Sequence, residues 1–170
     1  MHKCYEYVGP HDIAVLLQCA SDRMTIQCPF DAIEWIHQTK QHLSRQGTFT
    51  VTFVIDPHEQ LWIADRHSEH VVCAQGQAVL TAGELTFVIS DQQLAIVAVT
   101  NQSTGYCPEP ESWTVVTGVC ERLGVAYPAY WTTAYLFRRC ARCGNTNLIK
   151  DDWFVCAICD GPLSATWNYA

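Results

Sequence analysis

Four cysteines near the end of the chain stand in two close pairs, Cys140-Ala-Arg-Cys143 and Cys156-Ala-Ile-Cys159, with twelve residues between the pairs. Two residues between cysteines let both sulfurs of a pair turn into one tight loop. Two such pairs supply the four thiolates that close a tetrahedral shell around a divalent ion. Gly144 and Asp160-Gly161 follow the pairs, where the turn needs a positive φ and leaves amides free near the sulfurs. The ion that these ligands predict is Zn2+, with iron as the alternative. Four thiolates leave no position for water or substrate, so the expected role is structural. The ion supplies folding energy to a segment too short to own a core. A redox reading of one CxxC alone is weaker, because each pair explains the other.

Two further stretches are richer in functional groups than connectors need to be. They are Asp65-Arg66-His67-Ser68-Glu69-His70 and the run from Asn101 to Glu109, which contains Ser103 and Cys107. If the intervening strands form an up-and-down meander, both loops leave the same end of a sheet. His67, Glu69, His70, Asn101, Ser103 and Cys107 would then surround one opening, where loop residues on a rigid sheet usually form sites. A helix starting near Glu109 would aim free amides there as an anion seat. The ordinary reading is that Asn, Ser and Thr satisfy turn backbone and cap helices.

Named chemistries fail on spacing. His67-Ser-Glu69 matches the HxE half of a deaminase signature, but the nearest CxxC lacks the preceding proline and already has a partner pair. HSEH is neither HExxH nor HxxEH. A second zinc on His67 and His70 would need a ligand from elsewhere, such as Cys107. Cys107 with either histidine is a conceivable nucleophile and base. There is no P-loop and no GxGxxG.

The segments quoted as CARCGN and WFVCAICDG resemble the zinc-ribbon (rubredoxin-like) family. The resemblance covers the C-terminal end only and implies a two-knuckle hairpin around a structural zinc. Ala141 and Ala157 stand where the family often has proline, which binding does not require. Residues 1–137 carry no family resemblance.

The rest of the chain must position these groups. Of 170 residues, 49% are apolar and 16% charged, enough for a buried core. Residues 1–137 hold six Lys/Arg against fourteen Asp/Glu, a net of −8, and residues 138–170 hold four against three, a net of +1. An acidic body repels a phosphate backbone, so nucleic-acid binding is not expected. On the ribbon, Arg138, Arg139, Arg142 and Lys150 read as a solvated surface nearly cancelled by Asp151, Asp152 and Asp160. No apolar run approaches a membrane span or a signal peptide. Six scattered cysteines (Cys4, Cys19, Cys28, Cys73, Cys107, Cys120) read as reduced small hydrophobes of a cytoplasmic protein.

Apolar spacing predicts helices over Asp12–Ala20, from Asp31 with Glu34 as a capping box and a stripe of Ala32, Ile33, Ile36 and Leu43, and from Glu109-Pro110-Glu111 to Gly124. The helix from Glu109 carries Trp113, Val116, Val119, Cys120 and Leu123 on its buried stripe. Strands are predicted over Thr48–Ile55, Gln60–Ala64, His70–Ala74, Ala78–Thr81, Leu85–Ile89 and Leu94–Thr100, with short links that favour antiparallel pairing. The expected class is α+β: an antiparallel sheet packed with helices over residues 1–137, and a four-cysteine ribbon over 138–170. The expected function is a zinc-stabilised adaptor that engages a protein partner or a small ligand through the polar loops. The alternative is a hydrolase or transferase using their His, Glu and Cys groups.

Overall fold

Phe49, Val51, Phe53 and Ile55 alternate with Thr50, Thr52 and Val54, and the strand they form, β2 (Thr48–Ile55), has a core on each side. The structure is a computed structural model describing residues 2–14, 22–39, 43–90 and 93–169. Around β2 stand β1 (Met24–Ile26), β3 (Leu61–Asp65), β4 (Thr81–Ser90) and β5 (Gln93–Thr100), in the antiparallel order β1-β3-β2-β4-β5. The expected α+β class is the one adopted.

The larger core lies on the face bearing Phe53, Ile63, Leu85, Phe87 and Val99, covered by α2 (Pro29–Thr39) and α4 (Trp113–Leu123). Helix α4 follows most of the predicted stripe, with Trp113 only partly buried and Val115 buried as well. Val116, Val119, Cys120 and Leu123 are buried, and Gly124 ends it at φ 66°, in the left-handed region open to glycine. Its entry differs slightly, as a 3-10 turn over Pro110–Ser112.

Helix α2 corrects the prediction at both ends. Asp31 is not its cap but a first-turn residue whose carboxylate accepts from the N–H of Gln27 and Cys28, at 2.7 and 2.9 Å. That is the backward half of a capping box. The helix is described to Thr39, and Leu43 is not helical and is 45% exposed. Trp35 fills the stripe instead, and its indole donates to Asp22 O. Of the helix predicted over 12–20, the described part is α1 (His11–Ala14); residues 15–20, Cys19 among them, lie outside the described residues.

The sheet is not a simple meander. Strands β3 and β4 both pair antiparallel with β2, so the connection between them must cross one face of β2. It does so through α3 (His70–Cys73), where the sequence predicts a strand. One helical turn satisfies its own backbone while laying Val71, Cys73 and Ala74 against Val54, Ala64 and Ala82. Gln75 and Gly76, at φ 52° and 74°, then turn the chain away. The two short strands predicted over 78–81 and 85–89 are a single strand, β4, with Val79 held ahead of it by a bridge to Tyr5. Between Thr86 and Phe87 the β4–β5 register slips, leaving Val97 46% exposed.

The C-terminal segment adds a separate hairpin, β6 (Leu136–Arg139) with β7 (Thr146–Ile149). It leans on the body through a small cluster of Cys107, Phe137 and Tyr169, and the Trp167 indole donates to Cys107 O at 2.9 Å.

Candidate metal centre and the polar loops

Hairpin β6–β7 delivers Cys140 and Cys143 to one turn, and the chain returns to place Cys156 and Cys159 in a second. The two turns share one construction. Gly144 N donates to Cys140 O at 2.8 Å and Cys140 N to Asn145 O at 2.9 Å; Asp160 N donates to Cys156 O at 3.0 Å and Cys156 N to Gly161 O at 2.8 Å. Gly144 takes φ 76° and Asp160 takes φ 54°, so the second knuckle uses the aspartate and not Gly161 for the left-handed position. Aspartate is among the few other residues that tolerate it.

The four Sγ atoms lie within 4.8 Å of one another, and the pairs Cys140–Cys159 and Cys143–Cys156 are each 3.6 Å apart. A tetrahedron with Zn–S of about 2.3 Å has edges of about 3.8 Å, whereas a disulfide needs about 2.05 Å. The cluster therefore fits a tetrathiolate metal and no cystine. Donors converge on the sulfurs: Ile158 N on Cys156 at 3.4 Å, Asn145 Nδ2 on Cys143 at 3.3 Å, and Asn147 Nδ2 on Cys156 at 3.5 Å. Burial opposes a Cys156 thiolate, but the N–H groups of Ile158 and Cys159 outweigh it and bring the thiol down to about 6. Cys159 goes the other way, up to about 12. The Gly161 N–H favours its thiolate, yet burial and the crowding sulfurs of Cys143, Cys140 and Cys156 resist another negative charge. Four sulfurs this close call for a cation between them.

Asn147 is a part of this site that sequence reasoning passed over. Its Oδ1 accepts from Ala157 N at 3.0 Å while its amide reaches Cys156 Sγ, so it ties β7 to the second knuckle. Its place two residues beyond Asn145 in a knuckle strand was the available signal.

Arg142 and Lys150 are exposed, as charge counting suggests, but Arg138 and Arg139 are not part of that solvated surface. Arg138 is 3% exposed and paired with Glu109, and Arg139 donates to Val8 O with its guanidinium over the Tyr169 ring. Both face the body, so neither offers its charge to a phosphate chain.

The two polar loops meet at Gly83. The Nε2 of His70 lies 3.0 Å from Gly83 O, and a Cβ on Gly83 would stand 3.0 Å from Asn101 Cα. Their side chains are largely committed to the fold. Asn101, fully buried, donates to Pro108 O and Tyr135 O at 2.8 Å and accepts from Tyr135 N at 2.6 Å. Cys107 is also fully buried, at φ 47°, with its thiol on Thr104 O, and burial pushes that thiol up to about 11. Burial brings His70 down to about 4, against the smaller opposing effect of the Gly83 carbonyl. Ser103 is buried, and among the described residues its hydroxyl has no hydrogen-bond partner. His67 and Glu69 are exposed. Glu109, predicted to open an anion seat, instead turns its carboxylate to Arg138.

Among the described residues no helix is long and apolar enough to cross a membrane. The chain matches no protein-family model, no curated protein and no solved structure.

Proposed function

We propose that the chain is a binding protein held in shape by one structural zinc, with the ribbon serving as a clasp on an α+β body. The observation that carries this reading is the set of four sulfurs within 4.8 Å of one another at the tip of a hairpin whose base is tied into the body. A closed thiolate shell gives the ion no open position for Lewis-acid work, so its contribution is shape. His67 and Glu69, the exposed members of the six candidate loop residues, are the surface left for a protein partner or small ligand. His70, Asn101, Ser103 and Cys107 form its frame. The same protein, whose described cysteines form no disulfide, belongs in a reducing compartment, the cytoplasm.

Nothing in the geometry favours the hydrolase or transferase alternative. A nucleophilic Cys107 would need a depressed thiol and a base beside it, and it has a buried, raised one.

The test is hydrogen exchange on the zinc-loaded protein before and after chelation. Removing the metal should accelerate exchange across residues 136–169 while β2 and β4 stay protected. Unchanged protection in the ribbon would overturn the clasp. Rapid alkylation of Cys107 in the folded protein at neutral pH would restore the enzyme reading.

A further inference from the structure

A second polar concavity lies away from both the cysteines and the polar loops. It opens on the smaller-core face of the sheet, between the β2–β3 turn at Asp56-Pro57-His58 and the connection at Gln75–Val79, and encloses about 240 Å³. Its floor is apolar, with Trp62, Ala74 and Ala78 offering surface and the fully buried Val54 and Val79 packed beneath them. Arg23 forms one wall, with its guanidinium carbon 3.9 Å from the centroid of the Trp62 ring.

Arg23 is under-used by the fold. It donates through Nη1 to Cys73 O at 2.7 Å, and among the described residues no carboxylate lies within 4.0 Å of its nitrogens. Asp56 is close, but it is already engaged. One of its oxygens accepts from the N–H groups of His58 and Gln60, and the other from the Trp62 indole at 3.0 Å. A half-buried guanidinium spread over an indole, with donors remaining beside an apolar floor, is a recognition element for a planar anion.

We propose that this cavity binds a small organic monocarboxylate with an apolar body, the carboxylate on Arg23 and the body against Trp62, Ala74 and Ala78. The side chains of His58 and Gln77 at the rim add polar contacts. A single guanidinium with the Asp56 carboxylate nearby suits one negative charge better than the two of a phosphate, and the same guanidinium disfavours an ammonium ligand. The site is independent of the metal, and its failure would leave the zinc reading untouched.

The test is a titration of the intact zinc-loaded protein with sodium benzoate, against benzamide as the neutral isostere and inorganic phosphate as the anion without a body. The readout is the Trp62 indole N–H resonance, assigned by its absence in Trp62→Phe. Because that N–H donates to Asp56, it reports events in the cavity directly. Benzoate should give a saturable shift with about tenfold tighter binding than benzamide or phosphate, the increment of one charge-assisted contact. Arg23→Gln should remove that preference and Arg23→Lys should keep part of it. No saturable shift with benzoate, or equal binding of benzoate and benzamide, would overturn the proposal. So would equal binding of phosphate. The wild-type comparison decides the matter even if the Arg23 variants fold poorly.

Discussion

The guanidinium of Arg138 meets the carboxylate of Glu109 at 2.7 Å, with the arginine side chain 3% exposed and the glutamate 16%. This pair joins the first strand of the ribbon to the turn ahead of α4, and Arg138 adds a second arm to Ala165 O at 3.1 Å. A buried charge left without its partner is costly, whereas removing both charges together is often nearly neutral. Glu109→Ala should therefore destabilise the protein by about 3–5 kcal/mol in urea unfolding. The double change Glu109→Leu with Arg138→Met should recover most of that loss. Equal losses in both variants would show that shape, and not charge, is what the pair contributes.

Gly83 sits in β4 where any side chain would collide with the backbone: an added Cβ would lie 1.9 Å from Thr100 O. Backbone cannot swing aside as a side chain does. Gly83→Ala should cost about 3 kcal/mol or more, the upper end of overpacking, or prevent folding. Gly118, within α4 and exposed, has no atom within 4 Å of an added Cβ. Gly118→Ala should stabilise by about 0.5–1 kcal/mol through helix propensity. Thermal melts of the two variants should move in opposite directions.

His70 gives the fold an acid limit. Burial lowers it to about 4 in the folded chain, against an ordinary 6.5 when unfolded. Above the unfolded value both states are neutral and no penalty exists. Between 6.5 and about 4 the unfolded chain takes up the proton and the folded one does not, so stability falls as pH falls. The loss should be on the order of 2 kcal/mol once complete, allowing for partial solvent screening. Zinc release by acid must be separated from this effect, so the comparison is with His70→Gln. In that variant the slope of unfolding free energy over this window should be shallower than in the parent. Identical slopes would remove His70 from the account.

Asn147 should matter to the metal more than to the sheet. Asn147→Ala removes both the amide near Cys156 Sγ and the acceptor for Ala157 N. Outer-shell groups of this kind are worth about 10–100-fold in metal affinity. Competition with a chromogenic chelator should show zinc lost at correspondingly lower chelator concentration, with the circular dichroism of the sheet unchanged while zinc is bound. Unaltered affinity would reduce Asn147 to a packing residue.

What the sequence made legible follows from how local each signal is. The knuckles were readable because two residues between cysteines and a following turn residue determine their geometry within a few positions. Helix α4 was readable for the same reason, since its stripe and its glycine stop lie within one segment. The α3 crossover was not, because Val71, Val72 and Cys73 suit a strand by propensity. Only the pairing of β4 with β2 forces the chain across the sheet there. The polar loops come near each other at Gly83, where His70 Nε2 lies 3.0 Å from Gly83 O and the Asn101 backbone passes close by, but not through the meander the sequence suggested. Their burial could not be read locally, because the partners of Asn101 include Tyr135, thirty-four residues away. Arg138 was misjudged for the same reason, its partner being twenty-nine residues back.

The most direct measurement is the metal content of folded protein purified without chelator, by native mass spectrometry with thiol counting alongside. One zinc per chain should be present, with Cys140, Cys143, Cys156 and Cys159 protected from a thiol reagent until the ion is stripped. Cys143→Ser should lower occupancy sharply. A folded, metal-free chain whose ribbon keeps its hydrogen-exchange protection, or a mass two hydrogens short per cysteine pair from disulfides among those four, would contradict the account.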